Sequence, residues 1–133
     1  EIRLSLVGSE MCIRDRYITW TTDGANAGTV FYRNGRFNCT NVCGTLKLHY
    51  QFDAYYCSLV LANATKKYVS VNLANPKLMN NTMAAIKLYL PPFQEQKRMA
   101  QLFRKMDENI TLEHKLLLSY QKQKHYFPQQ MFI

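Results

Sequence analysis

No stretch of this sequence holds about 18 consecutive apolar residues, so no membrane-spanning helix is expected. Cysteine is sparse, four in 133 residues, too few for a disulfide-dense mini-protein. Acid is scarcer still through the middle of the chain. Between Gly24 and Gln94 the only carboxylate is Asp53, against Arg33, Arg36, Lys47, Lys66, Lys67, Lys77 and Lys87. The three histidines (His49, His114 and His125) show no base–nucleophile pairing with Ser or Cys, and no glycine-rich cofactor loop is present. A polar, disordered chain is also excluded, because 47% of the residues are apolar and 13% aromatic.

What remains has the size of one ordinary domain with an appendage. Seventeen Lys+Arg against nine Asp+Glu give a net charge of +8, which points to a polyanionic partner. Residues 1–16 are neutral overall, so the whole excess lies in 17–133. Residues 17–92 hold seven bases and two acids, and 93–133 hold seven bases and four acids.

The first sixteen residues stand apart. Leu6 to Asp15 (Leu-Val-Gly-Ser-Glu-Met-Cys-Ile-Arg-Asp) is similar to one reading frame of a widely used transposon-end sequencing adapter. Ser5 and Arg16 are compatible with the flanking codons. Residues 1–16 are therefore expected to be non-native and are left out of fold reasoning. Native chain is expected from near Tyr17, within a domain.

From there the chain reads as short antiparallel β. Tyr17–Thr21 is β-branched and aromatic and predicts a strand. Residues 22–28, with two glycines, Asp and Asn, predict a loop, and Thr29–Arg33 a second strand. Asn34-Gly35 predicts a two-residue hairpin returning through Arg36–Thr40, with a further strand over Val42–Leu48. Helical spacing of Phe52, Tyr56 and Val60 and of Tyr55, Leu59 and Ala62 predicts a helix over 52–62. Lys66 and Lys67 suit its C-terminal dipole. Tyr68–Leu73 reads as a strand, Asn75-Pro76 as a break, Lys77–Met83 as a short helix, and Ala85–Leu90 as a strand entering Pro91-Pro92.

The pattern changes at Phe93. Phe103, Met106, Ile110, Glu113, Leu117, Tyr120, Lys124, Phe127 and Met131 alternate three and four apart. That is a heptad-like seam with polar exceptions at Glu113 and Lys124, flanked by Leu112 and Leu116. A continuous helix over 93–127 would be about 50 Å long and would need a partner helix. Asp107 or Asn109 could break it. Pro128 is expected to end or kink it, since it has no N–H and its ring clashes with the preceding turn.

Leu90-Pro-Pro-Phe-Gln-Glu-Gln-Lys-Arg-Met-Ala100, then Met106-Asp-Glu-Asn-Ile110 and Gln129-Gln-Met-Phe-Ile133, resemble the conserved helical region of the specificity (S) subunits of type I restriction-modification enzymes. Trp20–Arg33 resembles part of their target recognition domain. Pro128 departs from the family pattern, which usually has Leu there. The resemblance implies an α+β fold in three parts. These are the adapter-like 1–16, the C-terminal part of a DNA target recognition domain over 17–91, and a conserved coiled-coil spacer over 92–133. The Met131-Phe-Ile133 ending suggests the second half of a subunit. The implied protein is cytoplasmic, non-catalytic and cofactor-free. It binds half of a split site on double-stranded DNA and docks methylation (M) and restriction (R) subunits. Its helix pairs with the helical region of the other half of the subunit through Phe103, Met106, Ile110, Leu117, Tyr120 and Phe127. No membrane partner is implied.

Reading DNA needs phosphate contacts for affinity and base-edge contacts for specificity. Tyr32, Arg33, Asn34, Arg36 and Asn38 cluster around the expected hairpin. Thr22, Asp23 and Asn26 lie in the preceding loop. Arg suits guanine and Asn suits adenine in the major groove. Lys47, Lys66 and Lys67 are phosphate candidates. The bland reading, a polar turn and a solvated basic face, competes at each of these positions. Cys39, Cys43, His49 and Cys57 could supply a zinc set, but buried reduced thiols account for the cysteines better, and no metal is expected. Leu90-Pro-Pro-Phe93 lacks the polar residue an adenine methyltransferase motif needs. Glu95-Gln-Lys97 lacks the partner Asp of a nuclease site, and a helix start explains Glu95. Two other readings stay open: a helical interaction or structural module with no DNA specificity, and the specificity end of a fused methyltransferase-endonuclease.

Overall fold

Strands β1 (Ser5–Leu6), β2 (Tyr17–Thr21), β3 (Val30–Arg33) and β4 (Cys43–Lys47) form one antiparallel sheet in the order β1-β4-β2-β3. The computed structural model describes residues 5–6, 16–37, 39–70 and 75–131. Most of the adapter-like segment, Asn38 and the end of the expected 68–73 strand lie outside these residues, as do Phe132 and Ile133. Three helices follow: α1 (Ala54–Thr65), α2 (Asn80–Ala84) and α3 (Phe93–Met131). The architecture is α+β, as expected. The chain divides into two compact units, residues 1–97 and 98–133.

The sheet is organised by β2, whose Tyr17, Ile18, Thr19 and Trp20 are all buried. Ile18 pairs with Tyr32 on one side and Leu46 on the other, and Trp20 with Val30 and Gly44. Antiparallel partners share a face, so this row points towards α1. There Cys57 and Leu61 complete the core with Leu78 and Met83. Full burial of residues such as Ile18, Leu46 and Leu61 stabilises by about 1.5–3 kcal/mol each. Gly44 is required by packing: a Cβ there would overlap the Trp20 indole ring. A glycine inside a strand commonly marks such a close approach.

The Asn34-Gly35 hairpin does not form. Gly35 does take a positive φ of 91°, and the turn residues are exposed. However, among the described residues β3 is an edge of the sheet and pairs only with β2. The hairpin partner of β3 is β2, through the 22–29 loop. After Gly35 the chain crosses to the opposite side of β2, where β4 pairs, and the described residues among 36–40 form no strand, Phe37 making only an isolated bridge. The local turn signal was sound, but the free edge of the buried central strand drew the next segment away.

α1 starts where Asp53 accepts a hydrogen bond from the Tyr56 N–H at 2.9 Å, a side-chain N-cap. Its buried stripe is Ala54, Cys57, Ser58, Leu61 and Thr65, not the Leu59-containing row that apolar spacing suggests; Leu59 is exposed. Small and hydroxyl-bearing residues can face the sheet because their hydroxyls are satisfied by backbone carbonyls. Ser58 Oγ donates to Tyr55 O at 2.7 Å, and Thr65 Oγ1 to Gly28 O at 2.8 Å.

The short helix begins at Asn80 rather than Lys77, because Lys77 is held in bridges with Asp23 and Ser70. Ala85–Leu90 is not a strand. Its period-two burial survives, with Ile86, Leu88 and Leu90 packed on the core and Lys87 and Tyr89 exposed. The segment packs by its side chains and forms no backbone ladder with the sheet.

α3 is 39 residues long, about 58 Å at 1.5 Å per residue. Neither Asp107 nor Asn109 interrupts it; Thr111 Oγ1 donates back to Asp107 O at 2.8 Å. Pro128 does not end it either, and the helix continues to Met131. Proline's fixed φ suits a helix, and its missing donor forfeits one bond, to the carbonyl four residues back. Across that turn Gln129 Nε2 lies 3.1 Å from His125 Nε2. At its other end the buried Gln96 clamps the helix start: its Oε1 accepts from Asp53 N at 3.1 Å and its Nε2 donates to Pro91 O at 2.8 Å.

Candidate nucleic-acid interface

The two acids of residues 17–92 are both engaged structurally. Asp53 caps α1. Asp23 lies 3.6 Å from Lys77, while Leu78 N donates to Thr22 O at 2.9 Å and Gly24 N to Pro76 O at 3.1 Å. Residues 76–78 thus strap the 22–24 loop and seat Leu78 in the core. Thr22 and Asp23 are tied into this strap, and only Asn26 of the three loop candidates is exposed.

Register brings two cations together that are 14 residues apart in sequence. Tyr17 pairs with Arg33 on one side and Lys47 on the other, so Arg33, Tyr17 and Lys47 form a row across the sheet face opposite α1. At roughly 4.8 Å per strand the outer two backbones are about 10 Å apart. Thr19, Phe31 and Thr45 form the next row. Arg33 lies over the Phe31 ring, 4.9 Å from its centroid, and its Nε donates to Thr19 Oγ1 at 3.4 Å. Lys47 Nζ sits 6.0 Å from the Tyr17 centroid, at the limit of a cation–π contact. Phe37 meets Tyr17 edge-on at 5.9 Å. The cations stay exposed while their stems rest on rings, which holds the charge at the surface.

The other candidates are dispersed. Tyr32 faces α1, edge-on to Tyr55 at 5.6 Å, away from Arg33. Asn34 and Arg36 are exposed at the turn, and Lys66 and Lys67 are exposed where α1 ends. Lys66 borders a cavity with Ala27, Gly28, Thr29, Val30, Ala62 and Val69. Asn38 lies outside the described residues.

Cys39 and Cys43 meet, Sγ to Sγ at 3.1 Å, but Cys57 lies in the core and His49 stacks on Tyr50. Among the described residues no three His, Cys, Asp or Glu side chains come together as a metal site would require. Burial pushes the Cys39 thiol up to about 12, helped by Cys43. Burial and then the nearby Asp53 charge do the same for Cys57. Both are held as neutral thiols.

Residues 98–131 expose nearly all their side chains, including Phe103, Met106, Ile110, Leu117, Tyr120 and Phe127. No helix among the described residues is long and apolar enough to cross a membrane. The class these features define is a small basic α+β unit carrying an unpaired amphipathic helix.

Residues 9–119 match the family model of the type I restriction modification DNA specificity domain, and the chain belongs to that family. The match begins inside the adapter-like segment. Among relatives from Mycoplasma pneumoniae, the N-terminal part of a candidate type I specificity subunit is 43% identical over 89 residues, 66% of this chain and 48% of that protein. Another candidate type I specificity subunit is 37% identical over 100 residues, 71% of this chain and 33% of that protein. The specificity subunit of the type I restriction enzyme MpnII is 41% identical over 87 residues, 65% of this chain and 26% of that protein. The chain spans about half or less of the length of these curated relatives.

Proposed function

We propose that this chain recognises half of a split site on double-stranded DNA as the non-catalytic specificity element of a type I restriction-modification complex. Residues 17–91 act as the recognition part and 92–133 as the helical spacer. The helix of the other half of the subunit packs on α3, and methylation and restriction subunits dock on the assembly, in the cytoplasm. The observation that carries the DNA reading is the Arg33–Tyr17–Lys47 row in a region whose two acids are already engaged. Arg33 and Lys47 supply phosphate contacts. Asn34, Arg36, Asn26 and Asn38 are the base-reading candidates, and Lys66 and Lys67 add long-range attraction.

The test is duplex binding followed by fluorescence anisotropy from 50 to 200 mM salt. Each phosphate contact adds about −0.9 to the slope of log K against log salt. Arg33→Ala and Lys47→Ala are each expected to make the slope shallower by about one. Binding with no salt dependence overturns the proposal. Residues 5–16 are proposed to be adapter-derived, and their presence in the genomic locus would overturn that.

A further inference from the structure

Two thiols lie together on the cation-bearing face of the sheet. Cys43 opens β4 and pairs with Thr21, so alternation puts its side chain on the face of Thr45 and Lys47, opposite α1. Cys39 stands at the end of the connection from β3. Cys43 N donates to Thr40 O at 3.0 Å, which closes a turn over 40–43 and folds Cys39 back onto the strand. The two Sγ atoms meet at 3.1 Å, with Cys39 donating, and Cys43 Sγ lies 3.6 Å from Gly44 O. Both side chains are half-buried, whereas Cys57 is closed in the core.

The fold holds this contact from both sides. Cys43 sits in the β2–β4 ladder, and the preceding Val42 O accepts from Thr22 N at 2.9 Å. Phe37, two residues before Cys39, packs edge-on against Tyr17. From 3.1 Å, the sulfurs need only about 1 Å more approach to reach a disulfide length of about 2.05 Å. Cysteines that respond to oxidants are partly exposed, near positive charge and next to a resolving thiol. Arg33 supplies the charge: it acts on Cys39 electrostatically, although burial and then Cys43 outweigh it and keep that thiol protonated.

We propose that Cys39 and Cys43 form a reversible disulfide site that exchanges with small-molecule disulfides of the glutathione class. Cys43 loses its proton and its sulfur attacks one sulfur of the reagent. An S–S bond forms to Cys43, the reagent's S–S bond breaks, and one thiol leaves with that proton. Cys39 then gives up its proton and attacks Cys43 Sγ, forming the ring bond and expelling the second thiol, which takes that proton. The chain loses two hydrogens and two electrons, and the reagent gains them. Cys39, held protonated, is the resolving thiol. The bond ties the 36–40 connection, which carries Arg36, covalently to β4. The site uses no DNA contact and stands apart from the DNA reading.

The test is incubation of the full chain with oxidised glutathione, quenched by alkylation and read by peptide mass mapping. A Cys39–Cys43 link with loss of two hydrogens is expected, with Cys57 untouched and dithiothreitol reversing the change. Cys39→Ser is expected to stop at a mixed disulfide on Cys43. In the urea-unfolded chain the same link is expected to close on the order of tenfold more slowly, because the held contact is gone. Circular dichroism of the reduced, oxidised and variant chains shows that each is folded. No reaction overturns the proposal. So does a wild type that stops at the mixed disulfide, a link to Cys12 or Cys57 instead, or equal closing rates in the folded and unfolded chains.

Discussion

Gly44→Ala tests the packing of the fold at its most constrained point. The added methyl overlaps the Trp20 indole, with Cη2 at 2.7 Å and two further ring atoms closer still. Trp20 is 1% exposed and wedged beside Ile18 and Leu46, both equally buried. It cannot swing away without displacing them. Overpacking of this kind typically costs about 1–3 kcal/mol, and the top of that range is expected because neither the strand backbone nor the ring is free to yield. For a chain of this size, about 2–3 kcal/mol lowers the melting temperature by roughly 8–15 °C. Trp20 is the only tryptophan, so its fluorescence during urea unfolding reports on the site directly. Trp20→Phe removes the overlapping ring atoms, and the pair should be strongly non-additive in a double-mutant cycle read by circular dichroism. Full stability in Gly44→Ala, or additive effects in the double variant, would refute the Trp20–Gly44 packing.

Asp53→Ala should destabilise by about 1 kcal/mol through loss of the α1 cap, with Asp53→Asn keeping most of it, as measured by urea denaturation. Gln96→Ala should cost about 2–4 kcal/mol in the same assay, since it leaves Asp53 N and Pro91 O without partners. Cys39 and Cys57 give a pH signature. Their ordinary value is 9.0 and the folded value about 12, so above pH 9 the unfolded chain ionises and the folded one does not. The stability they support is complete below pH 9 and is lost between 9 and 12. Cys57→Ala should show a shallower loss in that window, and an unchanged slope would refute the neutral-thiol assignment.

Elements whose signal is local could be read from sequence. β2, β3, β4, α1 and α3 all lie where alternation or helical spacing put them. The errors share one cause, competition for partners that no local pattern encodes. Asn34-Gly35 has turn chemistry and takes the turn, yet whether a hairpin follows depends on which edge of β2 is free. Ala85–Leu90 alternates like a strand because one side packs, but it joins neither edge of the sheet. α1 misled in another way. Its apolar residues lie on several faces, and the buried one is marked by Ser58 and Thr65, whose hydroxyls fold back onto carbonyls. Gly44 was visible as a glycine within an expected strand, a signal that could have located the tryptophan contact.

The site follows the same division. Residue type and charge were legible, and position across the sheet was not. Arg33 and Lys47 were separate candidates, one for the turn and one for phosphate. Only the pairing of Tyr17 with both strands makes them one surface. The same register takes Tyr32 out of the cluster, because a residue next to Arg33 in a strand must face the other way. Loop position makes Thr22 and Asp23 DNA-contact candidates, and Pro76, Lys77 and Leu78, more than 50 residues on, tie them into the strap. The motif residue Gln96 gained a physical role in the fold: it joins the start of α3 to the cap of α1. A substitution there would act first on stability and on DNA binding only through it. Gln96→Ala should therefore lower the unfolding midpoint while leaving the salt slope of the remaining folded protein unchanged. Arg33→Ala should do the reverse. Finding both effects in either variant would mean that the sheet face and the helix start are not separable parts.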